Sequence, residues 1–71
     1  MNALEVPEDL IVVKLDWYNR SDIRKHYEDA LGIAVIQKDS LDLDYIRRWC
    51  EQQSTGEILD DLLAEAAKAG T

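Results

Sequence analysis

The 71-residue chain has few of the residues that staple small domains or anchor them in membranes. It contains one cysteine, Cys50, so it forms no internal disulfide, and no cysteine or histidine spacing is typical of zinc. Its apolar runs, such as 10–13 (LIVV), fall far short of the ~20 residues that a membrane-spanning helix needs. We therefore expect no metal, no cofactor and no membrane, and a reducing, cytoplasmic location.

Basic residues are also scarce, with eight lysines and arginines against fifteen acidic residues and a net charge of −7. The acidic excess is spread along the chain rather than gathered in one tail. Such a chain lacks the positive surface that binds nucleic acid or anionic lipid. We expect neither partner. A hydrophobic content of 46% argues against disorder.

The length indicates a single small domain, residues 1–71. Folding buries only about 60% of the unfolded surface at this size. A core of this kind rarely supplies more than roughly 3–5 kcal/mol without a disulfide, a metal or a partner chain. Since the first two are not indicated, we expect a homo-oligomer or a protein partner.

The first helix is predicted near 7–18, after an irregular or strand-like tail at 1–6. Pro7 suits the first helical position, because its missing N–H would be unpaired there. Glu8 and Asp9 follow where the helix dipole favours acids. A buried strand around 11–13 (IVV) is the alternative.

The second helix is predicted at 21–37, after a turn at 19–20, with Ser21 as its N-cap. Its apolar residues recur at spacings of three and four. Gly32 costs roughly 1 kcal/mol relative to alanine inside a helix, which suggests that it is kept for close approach of another helix. Alternatively, the helix ends near it. The predicted apolar face consists of Ile23, Tyr27, Ala30, Leu31, Ala34 and Val35. Ile33 and Ile36 broaden this face towards the C-terminal end, which we therefore expect to be covered on two sides.

Two further helices are predicted near 43–53 and 55–69, and the first of these is expected to bury a stripe made of Tyr45, Ile46, Trp49 and Cys50. Asp42 or Asp44 caps the third, and 54–57 (STGE) matches a capping box in which Ser54 caps the fourth and Glu57 reaches back. Gly70 is a natural stop. The sequence thus predicts an all-α fold, a compact four-helix array.

Three features suggest chemistry but have simpler explanations. Asp42 and Asp44 have a spacing that can hold a divalent metal, yet they open a helix, where acids cap and complement the dipole. His26 has no second ligand near it in sequence and is expected at the surface or core boundary. Cys50 is expected to be a small buried hydrophobe. We predict no catalytic residue and no metal ligand.

Lys14 is the only basic residue in its apolar helix, and Asp29 flanks the apolar face of the next helix. Antiparallel helices would bring the two within reach, as a structural ion pair or as part of a phosphate-binding groove. Without a Gly-rich loop, the ion pair is favoured. Core packing explains most aromatic residues, but exposed ones would mark a partner surface. The candidates are Trp17, Tyr18, Tyr45 and Trp49.

Three segments, 7–18 (PEDLIVVKLDWY), 27–33 (YEDALGI) and 41–49 (LDLDYIRRW), occur in an order that resembles a known arrangement. It is the C-terminal helical region of bacterial nucleotidyltransferase-like proteins, the minimal and abortive-infection-toxin type of the polymerase-β superfamily. The resemblance spans nearly all of residues 6–67. It implies that Lys14 and Asp29 match a lysine and an aspartate that face the nucleotide in full-length members.

The chain departs from that family where the chemistry is done. The family holds magnesium with an Asp-x-Asp pair after a Gly-Ser turn, whereas glycine occurs here only at 32, 56 and 70. The catalytic sheet would precede Met1. We therefore expect a non-enzymatic helical module that acts through self-association or protein contact. One alternative is an accessory subunit of a split nucleotidyltransferase whose magnesium-binding sheet is on another chain; a second is an acidic, antitoxin-like partner.

Overall fold

A computed structural model describes residues 6–69. These form four helices in the order α1 (Pro7–Ser21), α2 (Arg24–Gln37), α3 (Leu43–Gln52) and α4 (Gly56–Ala69), with no strand in that range. The predicted all-α four-helix array is confirmed. Of the tail predicted at 1–6, only Val6 is described, and it is extended, as the N-cap of α1. The rest of that tail and the stop predicted at Gly70 lie outside the described residues.

Helix α1 starts at Pro7 as predicted, and the alternative of a strand at 11–13 is wrong. The helix continues through the turn predicted at 19–20. It ends where Asp22 adopts a left-handed conformation, with φ 59°, and donates its N–H to the Tyr18 carbonyl oxygen at 2.8 Å. Such a residue closes a helix by pairing one of its last carbonyls.

Ser21 is therefore the last residue of α1 and not the cap of α2. Its Oγ donates to the Trp17 carbonyl oxygen at 2.7 Å and accepts the N–H of Ile23 at 3.3 Å. Helix α2 begins at Arg24 after Ile23, which makes no side-chain cap bond and is exposed. Ile23 was predicted on the buried face of α2, and this is wrong because Ile23 precedes the helix and is exposed.

Gly32 does not mark a close helix approach. A Cβ built on it meets nothing within 4 Å, and α2 runs through it to Gln37, so both sequence interpretations of this glycine are wrong. The structure gives no physical reason for a glycine at this position.

Helix α3 begins as expected, because Asp42 Oδ1 accepts the N–H of Tyr45 at 3.1 Å. The predicted capping box at its far end is wrong. Ser54 has a φ of 65° and donates its N–H to Glu51, while Thr55 donates its N–H to the Cys50 carbonyl oxygen at 2.7 Å. This pair of bonds is a Schellman motif, so Ser54 ends α3 instead of starting α4.

Each helix packs against two others, giving the cyclic order α1–α2–α4–α3. Helices α1 and α2 run antiparallel, as the side-chain pairs Lys14–Asp29 and Trp17–His26 show. The core between the four helices is small and apolar. It contains Ile11, Val12, Leu15, Tyr27, Ala30, Ala34, Ile46, Cys50, Leu59, Leu62 and Ala66.

Candidate functional site

The structure places Lys14 and Asp29 side by side in the groove between α1 and α2. Lys14 Nζ lies 3.3 Å from Asp29 Oδ2, and the two side chains retain 21% and 40% of their exposure. The ammonium also lies 5.6 Å from the centre of the Trp17 ring, within cation–π range. The pair forms because α1 and α2 are antiparallel and both residues stand near the middle of their helices.

Trp17 and His26 continue this groove towards the α1–α2 turn. Their rings meet edge to face with centroids 5.4 Å apart. Trp17 remains 47% exposed, and His26 is half-buried beside it. His26 is therefore a boundary residue that packs on a tryptophan, as expected from its place beside the apolar stripe.

The opposite end of the groove is apolar. A shallow depression of about 210 Å³ is lined by Pro7, Leu10, Ile33, Ile36 and Gln37. Ile36 is 79% exposed, more than any other large hydrophobic residue in the described part of the chain. An isolated exposed isoleucine is ordinary, but here it adjoins a half-buried leucine and a second isoleucine.

We define the α1/α2 face as Leu10, Lys14, Trp17, His26, Asp29, Ile33 and Ile36. It has an aromatic end, a charge pair in the middle and an aliphatic end. It consists of apolar side chains with one charge pair between them. Within residues 6–69, no group of three His, Cys, Asp or Glu side chains is placed to hold a metal ion.

The other predicted interface aromatics differ in their environments. Tyr45 and Trp49 are exposed on α3 with ring centroids 6.3 Å apart, although their spacing in α3 had suggested a buried stripe. The Tyr45 hydroxyl donates to Asp9, and this hydrogen bond raises the pKa of Tyr45. Tyr18 is half-buried and packs against Tyr27 at 5.3 Å. Tyr45 thus ties α3 to α1, and Tyr18 belongs to the core boundary.

A polar tie between α2 and α4 was not foreseen from the sequence. Tyr27 is buried and its hydroxyl donates to Glu65 Oε1 at 3.0 Å. Burial, and then this hydrogen bond to a carboxylate, raise the pKa of Tyr27 to about 12. Arg24 stacks over the same ring at 4.4 Å. The apolar period of α2 predicted that Tyr27 is buried. Nothing in the sequence paired it with Glu65, which lies 38 positions further along the chain.

A second groove, of about 320 Å³, lies between the ends of α2 and α4. Its walls are mostly small or aliphatic, including Ala34, Leu63 and Ala66, with Lys38 and Asp39 among the lining residues. The groove contains no cluster of side chains with catalytic chemistry. Sequence reasoning gave no sign of it, because it arises from small residues on two helices that are far apart in the chain.

Cys50 lies in the core with no exposed surface, as predicted. Burial raises the pKa of its thiol, which the nearby Thr55 hydroxyl only partly offsets. A nucleophilic cysteine needs the opposite shift, towards the thiolate. Cys50 therefore fills space between the helices.

Comparison of the chain with protein-family models, with curated proteins and with solved structures found no match. The residues described include no helix that is both long and apolar enough to cross a bilayer. The fold and the α1/α2 face together define a small all-α domain with an uncovered, largely apolar two-helix surface.

Proposed function

We propose that the protein is a non-enzymatic helical module that acts by contact with another polypeptide, and that the α1/α2 face is the contact surface. The observation that carries this proposal is the exposure of Trp17 and Ile36 at the two ends of one groove. Tryptophan is enriched among the residues that dominate binding energy in interfaces. Apolar side chains that are exposed as a group, rather than singly, are typical of interaction sites.

The size of the domain supports the same conclusion. Within residues 6–69 the core consists of eleven buried hydrophobic residues, three of which are alanines, and the single cysteine is free. A domain of this size has a small free energy of unfolding, and burying an exposed apolar face against another chain increases that free energy. Contact with another chain would therefore stabilise the fold as well as mediate function.

The test is photo-cross-linking in the native host. A photoreactive phenylalanine analogue is placed at position 17, and in a control chain it replaces Glu57, which is exposed on α4 away from the face. The proposal predicts a discrete adduct of this chain with a polypeptide, either a copy of itself or another protein, from position 17 and not from position 57. Equal labelling at both positions, or none at position 17, would contradict it.

A second candidate, an accessory subunit of a split nucleotidyltransferase, is favoured by one observation. Lys14 and Asp29, the residues that the resemblance aligns with nucleotide-facing positions, are close together and partly exposed. The test is the neighbouring reading frame, which should encode a Gly-Ser turn followed by Asp-x-Asp in a chain that co-purifies with this one. A genome without such a neighbour would remove this candidate.

A further inference from the structure

The α1/α2 face is electrically balanced although the chain is not. Its two charged members are Lys14 and Asp29, which cancel, whereas the whole chain carries −7. A surface that recognises a basic partner would concentrate the acidic excess, and this face does not. The charge pattern therefore favours a partner surface that is itself apolar and neutral.

A second copy of the same face has that character, and its symmetry makes the match specific. In a two-fold dimer each patch contacts its own copy, so residue i meets j and j meets i. With the axis parallel to the helices, α1 of one chain lies over α2 of the other. Lys14 then faces Asp29 of the second copy, and Asp29 faces Lys14 of the second copy.

The other face-to-face arrangement is disfavoured by the same charges. An axis across the helices would lay α1 on α1 with opposite direction. Lys14 stands at the middle of α1, eighth of its 15 residues, so it would face Lys14 of the second copy. Two ammonium groups brought together at an interface repel each other and cost free energy. Of these two arrangements, only the one with the axis parallel to the helices pairs unlike charges.

We propose that the protein forms a two-fold homodimer through the α1/α2 face, with reciprocal contacts between Lys14 of each chain and Asp29 of the other. This proposal rests on the proposed function and names its partner. Leu10 of one chain then packs on Ile33 and Ile36 of the other. The aromatic ends meet in the same way, with Trp17 over His26.

The available area suits such a dimer. A stable interface of ordinary size covers about 800 Å² on each partner, roughly one sixth of the 4696 Å² surface of this chain. That is about one side of a molecule measuring 31 × 29 × 20 Å. Helix α1, with 15 residues, is about 22 Å long and spans most of such a side.

The test reverses the charge of Lys14 in one variant and the charge of Asp29 in another. Lys14→Glu makes both central residues acidic, and Asp29→Lys makes both basic. In sedimentation velocity, each variant alone should dimerise at least about tenfold more weakly than the wild type. An equimolar mixture should recover a dimer of near wild-type affinity, because each contact then pairs opposite charges. Circular dichroism of each variant checks that the helices remain.

The chain offers a matched control pair. Arg47 Nη2 and Asp60 Oδ1 form an ion pair at 2.6 Å between α3 and α4, away from the face. Arg47→Glu and Asp60→Lys change the net charge by the same amounts as the two test variants. We expect both to dimerise like the wild type, with no gain on mixing.

Three results would overturn the dimer. They are a wild-type chain that stays monomeric at the highest soluble concentration, test variants that behave like the controls, and a mixture that does not recover association. A monomeric chain that nevertheless cross-links from position 17 to a different protein would reject the dimer and retain the proposed function. The absence of any adduct from position 17 would reject the proposed function itself.

Discussion

At the scale of single residues, two left-handed backbone positions decide where helices end. Asp22 closes α1 and Ser54 closes α3, with φ values of 59° and 65°. Neither is glycine, and the left-handed conformation costs a residue with a Cβ roughly 1–2 kcal/mol. Thr55 anchors the second of these turns: it is fully buried, and its hydroxyl donates to the Cys50 carbonyl oxygen at 3.3 Å. The strain at Ser54 is therefore held in place by its neighbour.

Replacing Ser54 with glycine should stabilise the protein by about 0.5–1 kcal/mol, because glycine adopts positive φ without steric cost. If Ser54 were instead an N-cap, the same change would lose a few tenths of a kcal/mol. Urea unfolding of dilute protein measures the difference. Glu57→Ala is the companion variant. It should lose only the roughly 0.3–1 kcal/mol that an acid in the first turn of a helix contributes through the dipole, since Glu57 has no capping partner in this arrangement.

Tyr27 gives the protein a specific alkaline sensitivity. Its folded-state pKa is about 12, above the ordinary value of 10.0. Below pH 10 both the folded and unfolded states hold the proton, and the contribution to stability is complete. Between pH 10 and 12 the unfolded state loses the proton first, so stability falls by up to about 1.4 kcal/mol per pH unit.

The check is the free energy of unfolding of wild type and Tyr27→Phe across pH 9–12. The phenylalanine variant has no hydroxyl to titrate, so its stability should decline less steeply over this window. All other side chains are the same in both proteins, so their contributions cancel in the comparison. Parallel declines would show that Tyr27 is not held protonated by burial and Glu65.

At the scale of elements, Gly32 is a position where α2 can be stabilised by substitution. The glycine is exposed in mid-helix, and an added Cβ would touch nothing. Gly32→Ala should raise the free energy of unfolding by about 0.5–1 kcal/mol in dilute, monomeric protein. Gly56→Ala is the comparison, because an added Cβ meets a neighbour there. At this first residue of α4 the Cβ would lie 3.6 Å from Glu51 Cγ, an ordinary van der Waals contact. A loss of stability in Gly32→Ala would mean that something does pack against this position.

The number and type of helices followed from sequence periodicity, and so did the Asp42 cap, because these depend on local pattern. The ends at Ser21 and Ser54 did not. Both serines match N-cap preferences, yet each lies at the C-terminal end of the preceding helix. The helices end where residues 22 and 54 adopt positive φ. The second of these turns is also held by a hydrogen bond from Gln53 Nε2 to the Val12 carbonyl oxygen, at 2.8 Å. No local sequence pattern contains that bond.

The candidate surface was predictable in part. An antiparallel pair of helices was enough to bring Lys14 and Asp29 within reach, and Trp17 was among the aromatic residues expected to mark a partner surface if exposed. The exposure of Ile36 was not foreseen. The sequence expectation was that the C-terminal end of α2 would be covered on two sides, and in the structure α1 and α4 leave this side chain open.

At the scale of the whole molecule, association should make stability depend on concentration. A ligand that binds only the folded state raises its apparent stability by mass action, and a second copy acts in the same way. The thermal midpoint of the wild type should therefore rise with protein concentration. In Ile36→Asp it should stay constant, because a carboxylate would be buried in the aliphatic end of the interface.

Leu43→Asp is the matched control for this prediction. Leu43 is also an exposed aliphatic residue, but it lies at the start of α3 outside the α1/α2 face. The variant carries the same net charge as Ile36→Asp and should keep the concentration dependence of the wild type. A midpoint that does not vary with concentration in the wild type would remove the basis for the comparison and contradict self-association.

The most direct measurement of the central claim is an isotope-filtered nuclear Overhauser experiment on a mixture of labelled and unlabelled chains, which reports only contacts between chains. The dimer through the α1/α2 face predicts cross-peaks from the Ile36 methyl groups to Leu10 and from the Trp17 ring to His26. Cross-peaks from Trp49 or Tyr45 in their place, or none between chains at a concentration where sedimentation shows a dimer, would contradict it.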